Sequence, residues 1–334
     1  MEQRVFGPTG RSVSVIGQGC WQFGGDWGTV TNRQALDVLS AAVESGVTLI
    51  DTADVYGDGH SERLVGQFLA SIGGPEANSL TVITKMGRRA DPHVASAYTL
   101  DNFRSWLDRS RRNLGLDTIP LVQLHCPPTA VFADGAVYDA LDQLQSEGVI
   151  AAYGVSVERV DEALEALRHP GVASIQIICN ILRRKPLTTV LPQASAAGVA
   201  VIARVPLASG ALTGRYRLDS TFAPGDHRHY NRHGEAFDVG ETFSGVPFDQ
   251  AVAAGQAVAA IAASLPGQPT PAQLALRWVI DQPGITSVIP GASHPEQARA
   301  NAAAAGMAAL TPAVLEQLAA VYDQFAAPYV ADKW

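Results

Sequence analysis

A repeated spacing of short apolar runs constrains the fold of this chain more than any other feature of its sequence. Such runs begin near residues 15, 48, 80, 120, 150, 174, 199 and 286. One helical pattern lies between most neighbouring runs, so each repeat has the length of one strand plus one helix. Eight strands that alternate with helices predict an α/β fold, specifically a closed (β/α)8 or TIM barrel.

An open, doubly wound sheet is the other fold that this repeat allows. Such a sheet gathers its functional groups at one crevice, whereas candidate functional residues follow nearly every run of this chain, which favours the barrel. The sequence also predicts an N-terminal β-hairpin, over residues 4–6 and 12–16. Between Pro206 and Gln250 we expect a long loop over the C-terminal mouth, and whether its residues 214–247 close on a substrate is left open. No interior linker is evident, so residues 1–334 are predicted to form a single domain.

Four side chains with acid–base chemistry lie at or just beyond the ends of three of these runs. Asp51 ends one run and Tyr56 follows it in a turn, while Lys85 and His125 end the next two. The C-terminal strand ends share one face of a barrel, so these groups are expected to converge. A phenol with its ordinary pKa of about 10 needs a neighbouring cation, here Lys85, to move protons at neutral pH. The pattern predicts an acid–base site at the barrel mouth.

With these motifs the chain resembles the aldo-keto reductase family, in particular its bacterial reductases and potassium-channel β-subunits. The resemblance rests on Asp51-Thr-Ala-Asp-Val-Tyr56-Gly, Thr84-Lys85, Leu124-His125, Gly154-Val-Ser156 and Val288-Ile-Pro-Gly-Ala-Ser293, in the family's order. It implies an NAD(P)H-dependent oxidoreductase that interconverts an aldehyde, ketone or sugar and its alcohol. Tyr56 would be the general acid, Lys85 paired with Asp51 would lower its pKa, and His125 would orient the carbonyl.

The same resemblance implies that a nicotinamide dinucleotide binds in an extended form over the barrel mouth, with NADP preferred and NAD possible. A Rossmann site is rejected, because the glycines at positions 17 and 19 lack the third glycine and the later acid of that motif. The helix that starts at Pro295 is expected to present free backbone N–H groups to a phosphate. The candidate cofactor-binding residues are Gly19, Cys20, Trp21, Asp51, Ser156, Gln176, Asn180, Arg204, Pro206, Leu207, Gly210, Leu212, Pro290, Gly291, Ala292, Ser293, Gln297 and Asn301.

The chain departs from the family pattern at several of its candidate cofactor contacts. Val157 stands where the family commonly has asparagine, and Gly291 and Gln297 stand where many members have lysine and arginine. Arg204 matches a tyrosine that stacks on the nicotinamide in many members. A planar guanidinium can stack in the same way or reach a cofactor phosphate. We therefore expect Arg204→Ala to weaken cofactor binding while leaving folding intact.

Composition bears on partners and location. The net charge of −8 argues against a nucleic-acid or anionic-membrane surface, and no apolar run approaches a membrane span. The chain starts without a signal pattern, and its three cysteines lack metal or disulfide spacing, which favours buried thiols and a cytoplasmic location. The cluster His227-x-His229-x-x-x-His233 lacks an orienting acid, so we expect a solvated lid and no metal site.

Two other functions remain open from the sequence. One is a cofactor-binding regulatory or scaffold protein of the channel β-subunit type with little turnover. The other is a cofactor-free barrel lyase or isomerase, which would bind no nucleotide. The sequence predicts a small-molecule carbonyl or alcohol substrate without naming it, and it predicts no oligomeric state.

Overall fold

The computed structural model describes all 334 residues and contains a barrel of eight parallel strands. An antiparallel hairpin of β1 (Gln3–Val5) and β2 (Ser12–Ser14) precedes the barrel. The barrel strands are β3 (Gln18–Gly19), β4 (Leu49–Asp51), β5 (Thr81–Met86), β6 (Leu121–His125), β7 (Tyr153–Ser156), β8 (Val172–Ile178), β9 (Ala200–Arg204) and β10 (Ser287–Val288).

Neighbouring strands in the barrel are consecutive in the chain, and the last strand returns to the first. The backbone N–H of Val288 donates to the carbonyl of Val15 at 2.9 Å, and the N–H of Gly17 donates to the carbonyl of Val288 at 2.8 Å. A parallel bridge between Gly19 and Gly291 continues this seam. The closed (β/α)8 barrel predicted from the spacing of apolar runs is confirmed.

Helices surround the barrel, and several begin where the sequence places a cap. Thr31, Thr270 and Thr311 each accept a hydrogen bond from a backbone N–H in the first turn of the following helix. No helix is both long and apolar enough to cross a bilayer. The helices are α1 (Asn32–Glu44), α2 (His60–Ile72), α3 (Gly74–Ser79), α4 (Leu100–Leu114), α5 (Gly135–Ser146), α6 (Val160–Ala166), α7 (Val190–Ala196), α8 (His227–Tyr230), α9 (Phe248–Ser264), α10 (Pro271–Ile280), α11 (Pro295–Ala303), α12 (Pro312–Phe325) and α13 (Ala327–Val330).

The hairpin plugs the N-terminal end of the barrel. Phe6 and Val13 are fully buried and belong to a small apolar cluster with residues from the starts of the strands, among them Leu49, Leu121 and Ala200. A larger apolar cluster fills the space between the strands and the helices. The N-terminal end is therefore closed by side chains, which leaves the C-terminal end as the place for a site.

The long loop between β9 and α9 packs against the barrel mouth more tightly than the sequence suggested. His227 is fully buried, and its ring packs against those of Trp21 and Trp27, with centroids 4.8 and 4.3 Å away. His229 and His233 are exposed, so the three histidines of the cluster do not converge. The expectation of a solvated lid is wrong for this part of the loop, because aromatic packing removes His227 from water.

Candidate active site

The ammonium group of Lys85 holds three of the predicted groups together at the C-terminal end of the barrel. Its Nζ lies 2.6 Å from Oδ2 of Asp51 and donates a second hydrogen bond to the carbonyl of Thr52 at 2.9 Å. The hydroxyl oxygen of Tyr56 lies 3.4 Å from the same nitrogen. The imidazole of His125 meets the Tyr56 ring edge-on, with centroids 5.8 Å apart. The structure thus brings all four predicted side chains into one cluster.

Strand register explains why these groups meet. Asp51 ends β4 opposite Ile83 of β5, and Lys85 lies two residues farther along β5. Residues two apart on a strand share a face, so Lys85 continues the face that Ile83 presents to the barrel interior. Tyr56 follows in a turn in which its N–H donates to the carbonyl of Ala53 at 3.2 Å. This turn leads the phenol back over the strand ends.

Burial dominates the acidity of the Tyr56 phenol. Removal from water raises its pKa to about 12, and the positive charge of Lys85 opposes this rise without cancelling it. Lys85 therefore acts in the expected direction, but the net shift is upward rather than downward. Such a phenol is protonated at neutral pH, and the adjacent ammonium stabilises the phenolate that forms when the proton leaves.

Lys85 stays charged and His125 stays neutral, for different reasons. Burial lowers the pKa of Lys85, but attraction to the Asp51 carboxylate and the Tyr56 phenol outweighs it, so the net shift is upward. Burial lowers the pKa of His125 well below its usual value, and the positive charges of Arg88 and Lys85 lower it further. A neutral imidazole can donate a hydrogen bond through one ring nitrogen without carrying a charge.

A cavity of about 730 Å³ opens at this end of the barrel and reaches from the acid–base cluster to the start of α11. Lys85 is fully buried beneath it and touches its wall only through Asp51 and Tyr56. The predicted residues that line the cavity are Gly19, Trp21, Asp51, Tyr56, His125, Ser156, Gln176, Arg204, Pro206, Leu207, Gly210, Pro290, Gly291, Ala292, Ser293, Gln297 and Asn301.

Three predicted cofactor-binding residues lie away from this wall. Cys20 and Leu212 are fully buried in the main apolar core. The Asn180 amide donates to the carbonyl of Val205 at 2.9 Å and to the hydroxyl of Ser244 at 2.8 Å. Its oxygen accepts from the backbone two residues along the chain at 2.8 Å. Asn180 is therefore used to tie loops together and offers no free group to the cavity.

Two other strand-end residues keep polar atoms free at the cavity. Gln176 donates to Oδ1 of Asp51 at 2.8 Å and to the side-chain oxygen of Gln123 at 2.9 Å, while its own side-chain oxygen forms no hydrogen bond within the protein. The Ser156 hydroxyl lies 3.6 Å from the thiol sulfur of Cys126, a weak contact. The two residues together present an acceptor and a hydroxyl to a ligand.

The guanidinium of Arg204 is bound within the protein. It pairs with the buried carboxylate of Glu241, donates to the carbonyl of Val157 at 2.9 Å, and contacts the thiol of Cys126. Burial lowers the pKa of Arg204, but Glu241 and other nearby acids outweigh it and raise the pKa overall. Arg204 still lines the cavity, but its charge is balanced by Glu241 and is not free for a phosphate.

The start of α11 is capped by its own side chain. The side-chain oxygen of Gln297 accepts from the backbone N–H of Ser293 at 2.7 Å and of His294 at 3.2 Å. The expected free N–H groups at this helix end are thus partly satisfied by a capping box. Gln22 lies over Gly291, where an added Cβ would meet its amide at 2.0 Å, so a side chain at this position would displace Gln22.

The cavity wall also contains groups that the sequence did not single out. Gln22, Arg88, Arg215, Phe237 and Glu241 all line it. A charged residue just past a strand end was a usable signal for Arg88, since Lys85 ends the same run. No local signal marked Glu241, because its role depends on Arg204, which is distant in the chain.

Comparisons with known proteins agree with this fold. The model of the aldo/keto reductase family matches residues 15–323. An uncharacterised oxidoreductase of Mycobacterium tuberculosis is 34% identical over 300 residues, which are 88% of this chain and 84% of the relative. A protein described as the NADH-specific methylglyoxal reductase of Escherichia coli is 29% identical over 91% of this chain and 93% of its own. The structure of a glycerol dehydrogenase from Gluconobacter oxydans superposes with a TM-score of 0.76 at 27% identity, covering 98% of this chain and 96% of that one.

Proposed function

Because this chain belongs to the aldo/keto reductase family, we propose that it is an NADP(H)-dependent oxidoreductase that interconverts a carbonyl compound and its alcohol, with Tyr56 as the general acid and base. The observation that carries this proposal is the contact chain from Asp51 through Lys85 to the hydroxyl of Tyr56, beside His125 in an open cavity.

Each member of the cluster has a task in carbonyl reduction. Tyr56 is protonated at neutral pH and gives its proton to the carbonyl oxygen. Lys85 stabilises the resulting phenolate, and Asp51 keeps the lysine charged and in place. Neutral His125 orients the carbonyl oxygen through a hydrogen bond. In the reverse direction the same groups accept the alcohol proton.

The protein has no redox group of its own, so a nicotinamide cofactor supplies the hydride when bound. The free side-chain oxygen of Gln176 and the hydroxyl of Ser156 suit the amide N–H and carbonyl of a carboxamide. Both residues line the same cavity as Tyr56, which supports a carboxamide subsite near the phenol. The residues present therefore fit this group.

Preference for the phosphorylated cofactor is supported by the other end of the cavity. The Ser293 hydroxyl makes no hydrogen bond there, and exposed Arg215 lines the same wall without a hydrogen-bond partner. An arginine can bind a phosphate through paired charged hydrogen bonds. Against this, Gln297 occupies the N–H groups of Ser293 and His294.

We predict that NADP⁺ binds more tightly than NAD⁺. Titration of each oxidised cofactor, followed by tryptophan fluorescence, measures the two dissociation constants. The quench is expected from Trp21, which lines the cavity. Equal constants, or tighter binding of NAD⁺, would refute the preference and bring this chain closer to its NADH-specific relative in Escherichia coli.

The proposed function is tested by following NADPH absorbance with a panel of aldehydes, ketones and sugars. Consumption that depends on the carbonyl supports an oxidoreductase. Tight cofactor binding with no consumption by any member of the panel, and no reduction of NADP⁺ by the matching alcohols, would favour the regulatory alternative. Failure to bind either cofactor would favour a cofactor-free barrel enzyme.

A further inference from the structure

One partly buried cation on the active-site wall, unlike exposed Arg215, lies where burial makes its lack of a hydrogen-bond partner costly. Arg88 lies just past the end of β5, three residues after Lys85, and its guanidinium lines the cavity. It donates no hydrogen bond to any protein group, and its nearest acid is Oε1 of Glu241 at 3.9 Å. That carboxylate is already paired with Arg204. Arg88 is therefore a positively charged group with unused donors in a largely buried position.

The other arginines of the cavity differ from Arg88. Arg204 is bound to Glu241, and Arg228 forms an ion pair with Asp226. Arg215 lies at the far end, in the loop that packs against α9 and α10. Among the nearby charges, that of Arg88 lowers the pKa of His125 most, and only burial lowers it more. An unused guanidinium thus stands at the reacting end of the cavity.

Phe237 fixes the place of this guanidinium. The guanidinium carbon of Arg88 lies 5.2 Å from the centroid of the Phe237 ring, a cation–π contact. These two residues also line a second cavity of about 1010 Å³, whose other walls include His93, Thr129 and Trp334. Arg88 therefore stands where the active-site cavity meets a neighbouring one, and it is accessible to a group that extends away from Tyr56.

The local charges favour an anion at this point. Lys85 balances Asp51, and Arg204 balances Glu241, while His125 is neutral. Glu158 lines the neighbouring cavity together with Arg88, but burial and the charge of Glu241 raise the pKa of Glu158 to about 7, so at neutral pH it balances Arg88 only in part. Arg88 therefore keeps a positive charge that no nearby acid fully balances. A partly buried guanidinium without a hydrogen-bonded partner is costly, and an acidic ligand group would satisfy both its charge and its paired donors.

We propose that Arg88 binds an acidic group of the substrate, so that the preferred substrates are carbonyl compounds that also carry a carboxylate or a phosphate. This inference rests on the proposed carbonyl chemistry of Tyr56. It adds a substrate class to that chemistry and makes Arg88 a residue that determines specificity.

The test measures binding without turnover. Calorimetric titration of the NADP⁺-loaded protein compares butyrate with butyramide, and glycerol 3-phosphate with glycerol. A charged hydrogen bond to arginine predicts that at least one acid binds about tenfold or more tightly than its neutral partner. Preference for butyrate alone identifies a carboxylate as the recognised group, and preference for glycerol 3-phosphate alone identifies a phosphate.

Two variants assign the preference to Arg88. In Arg88→Gln the preference for the acid is expected to fall to less than about threefold, because the charge is lost. Arg89→Gln is the matched control, since it removes the same charge one residue along, from a side chain that lines neither cavity. The preference should survive in Arg89→Gln. Circular dichroism and NADP⁺ affinity check that both variants are folded.

Absence of any preference for an acid in the wild-type protein overturns the inference without recourse to a variant. A preference that persists in Arg88→Gln also overturns it. Turnover of 4-oxobutanoate and butanal with NADPH separates this result from the proposed function. If neither 4-oxobutanoate nor butanal is reduced although the protein prefers acids, the result contradicts the proposed carbonyl chemistry and supports the anion site. If both are reduced equally well and no acid is preferred, the chemistry stands and the anion site fails.

Discussion

At the scale of single residues, burial and charge act in opposite directions on the titratable groups of the cavity. Burial raises the pKa of the Tyr56 phenol to about 12, although the Lys85 Nζ lies 3.4 Å from the phenol oxygen. The pKa of His125 is depressed well below its usual value by burial and by the charges of Arg88 and Lys85. At neutral pH the proposed proton donor is therefore fully protonated, and the proposed orienting group is uncharged.

These directions predict a flat pH profile for carbonyl reduction. A general acid must be protonated, and Tyr56 stays protonated at every pH well below its pKa of about 12. His125 stays neutral at every pH well above its depressed pKa. We expect kcat/KM for reduction by NADPH to be constant from about pH 6.5 to about pH 10. A falling limb centred below about pH 9 would show that a different, more acidic group donates the proton.

The four groups of the cluster were predictable from the sequence, whereas the upward shift in the pKa of the Tyr56 phenol was not. Asp51 and His125 end their strands, Lys85 is one residue from the end of β5, and strand ends share one face of a barrel. The size of the burial effect on Tyr56 depends on the loop that covers it, including Trp21, whose ring stacks 6.2 Å away. That packing is a tertiary property that strand spacing does not contain.

At the scale of elements, the loop between β9 and α9 is fastened to the barrel by charged and aromatic contacts. Glu241 of this loop pairs with Arg204 at the end of β9, and both are buried. Asp238 accepts the indole N–H of Trp334 at 2.9 and 3.0 Å, and the guanidinium of Arg183 lies 3.6 Å from a Trp334 ring centroid. These contacts hold the part of the loop that carries Phe237 and Glu241 against the cavity.

Arg204→Ala is therefore expected to destabilise the fold, and the expectation from sequence that folding stays intact is revised. Removal of one partner from a buried ion pair leaves an unpaired charge, here Glu241, which typically costs about 3–5 kcal/mol. Arg88, 3.9 Å from Glu241, is expected to offset part of this loss. Urea unfolding measures the loss in the free energy of unfolding. The double variant Arg204→Met, Glu241→Leu should lose less than Arg204→Ala, whereas equal losses would contradict a buried charge as the cause.

That Arg204 stands where many family members have tyrosine was visible in the sequence, whereas its pairing with Glu241 was not. Ion pairs between residues far apart in the chain depend on how a loop folds back, and no periodicity reports that. The Gln297 cap differs, because a glutamine three residues into a helix is a recognised capping position. Gln297 was therefore a usable signal in the sequence that the N–H groups at the start of α11 are partly occupied.

At the scale of the whole molecule, the barrel has one closed end and one open end. The hairpin of β1 and β2 fills the N-terminal end with Phe6 and Val13, while the cavity with Tyr56 opens at the other. This division follows from the repeat that the sequence displays, since eight strand–helix units close into a barrel with all C-terminal strand ends on one face. The packed plug and the candidate site therefore lie at opposite ends of the barrel.

This division predicts that damage to the plug lowers stability without altering the site. Phe6→Ala removes a fully buried ring and is expected to cost about 3–5 kcal/mol in the free energy of unfolding. Val5→Ala, in the same hairpin at 68% exposure, is the control and should cost less than about 0.5 kcal/mol. Cofactor affinity below the unfolding transition should be unchanged in both. A Phe6→Ala variant with normal stability, or with altered cofactor affinity, would contradict the separation.

The most direct test of the central claim is the rate of hydride transfer in Tyr56→Phe. Stopped-flow mixing of the NADPH-loaded protein with a carbonyl that the wild type reduces measures this step in a single turnover. The variant keeps the ring and its stacking on Trp21, so cofactor affinity should stay within about threefold while the rate falls by about 10² to 10⁴. A rate close to that of the wild type, with the same carbonyl, would show that Tyr56 does not donate the proton.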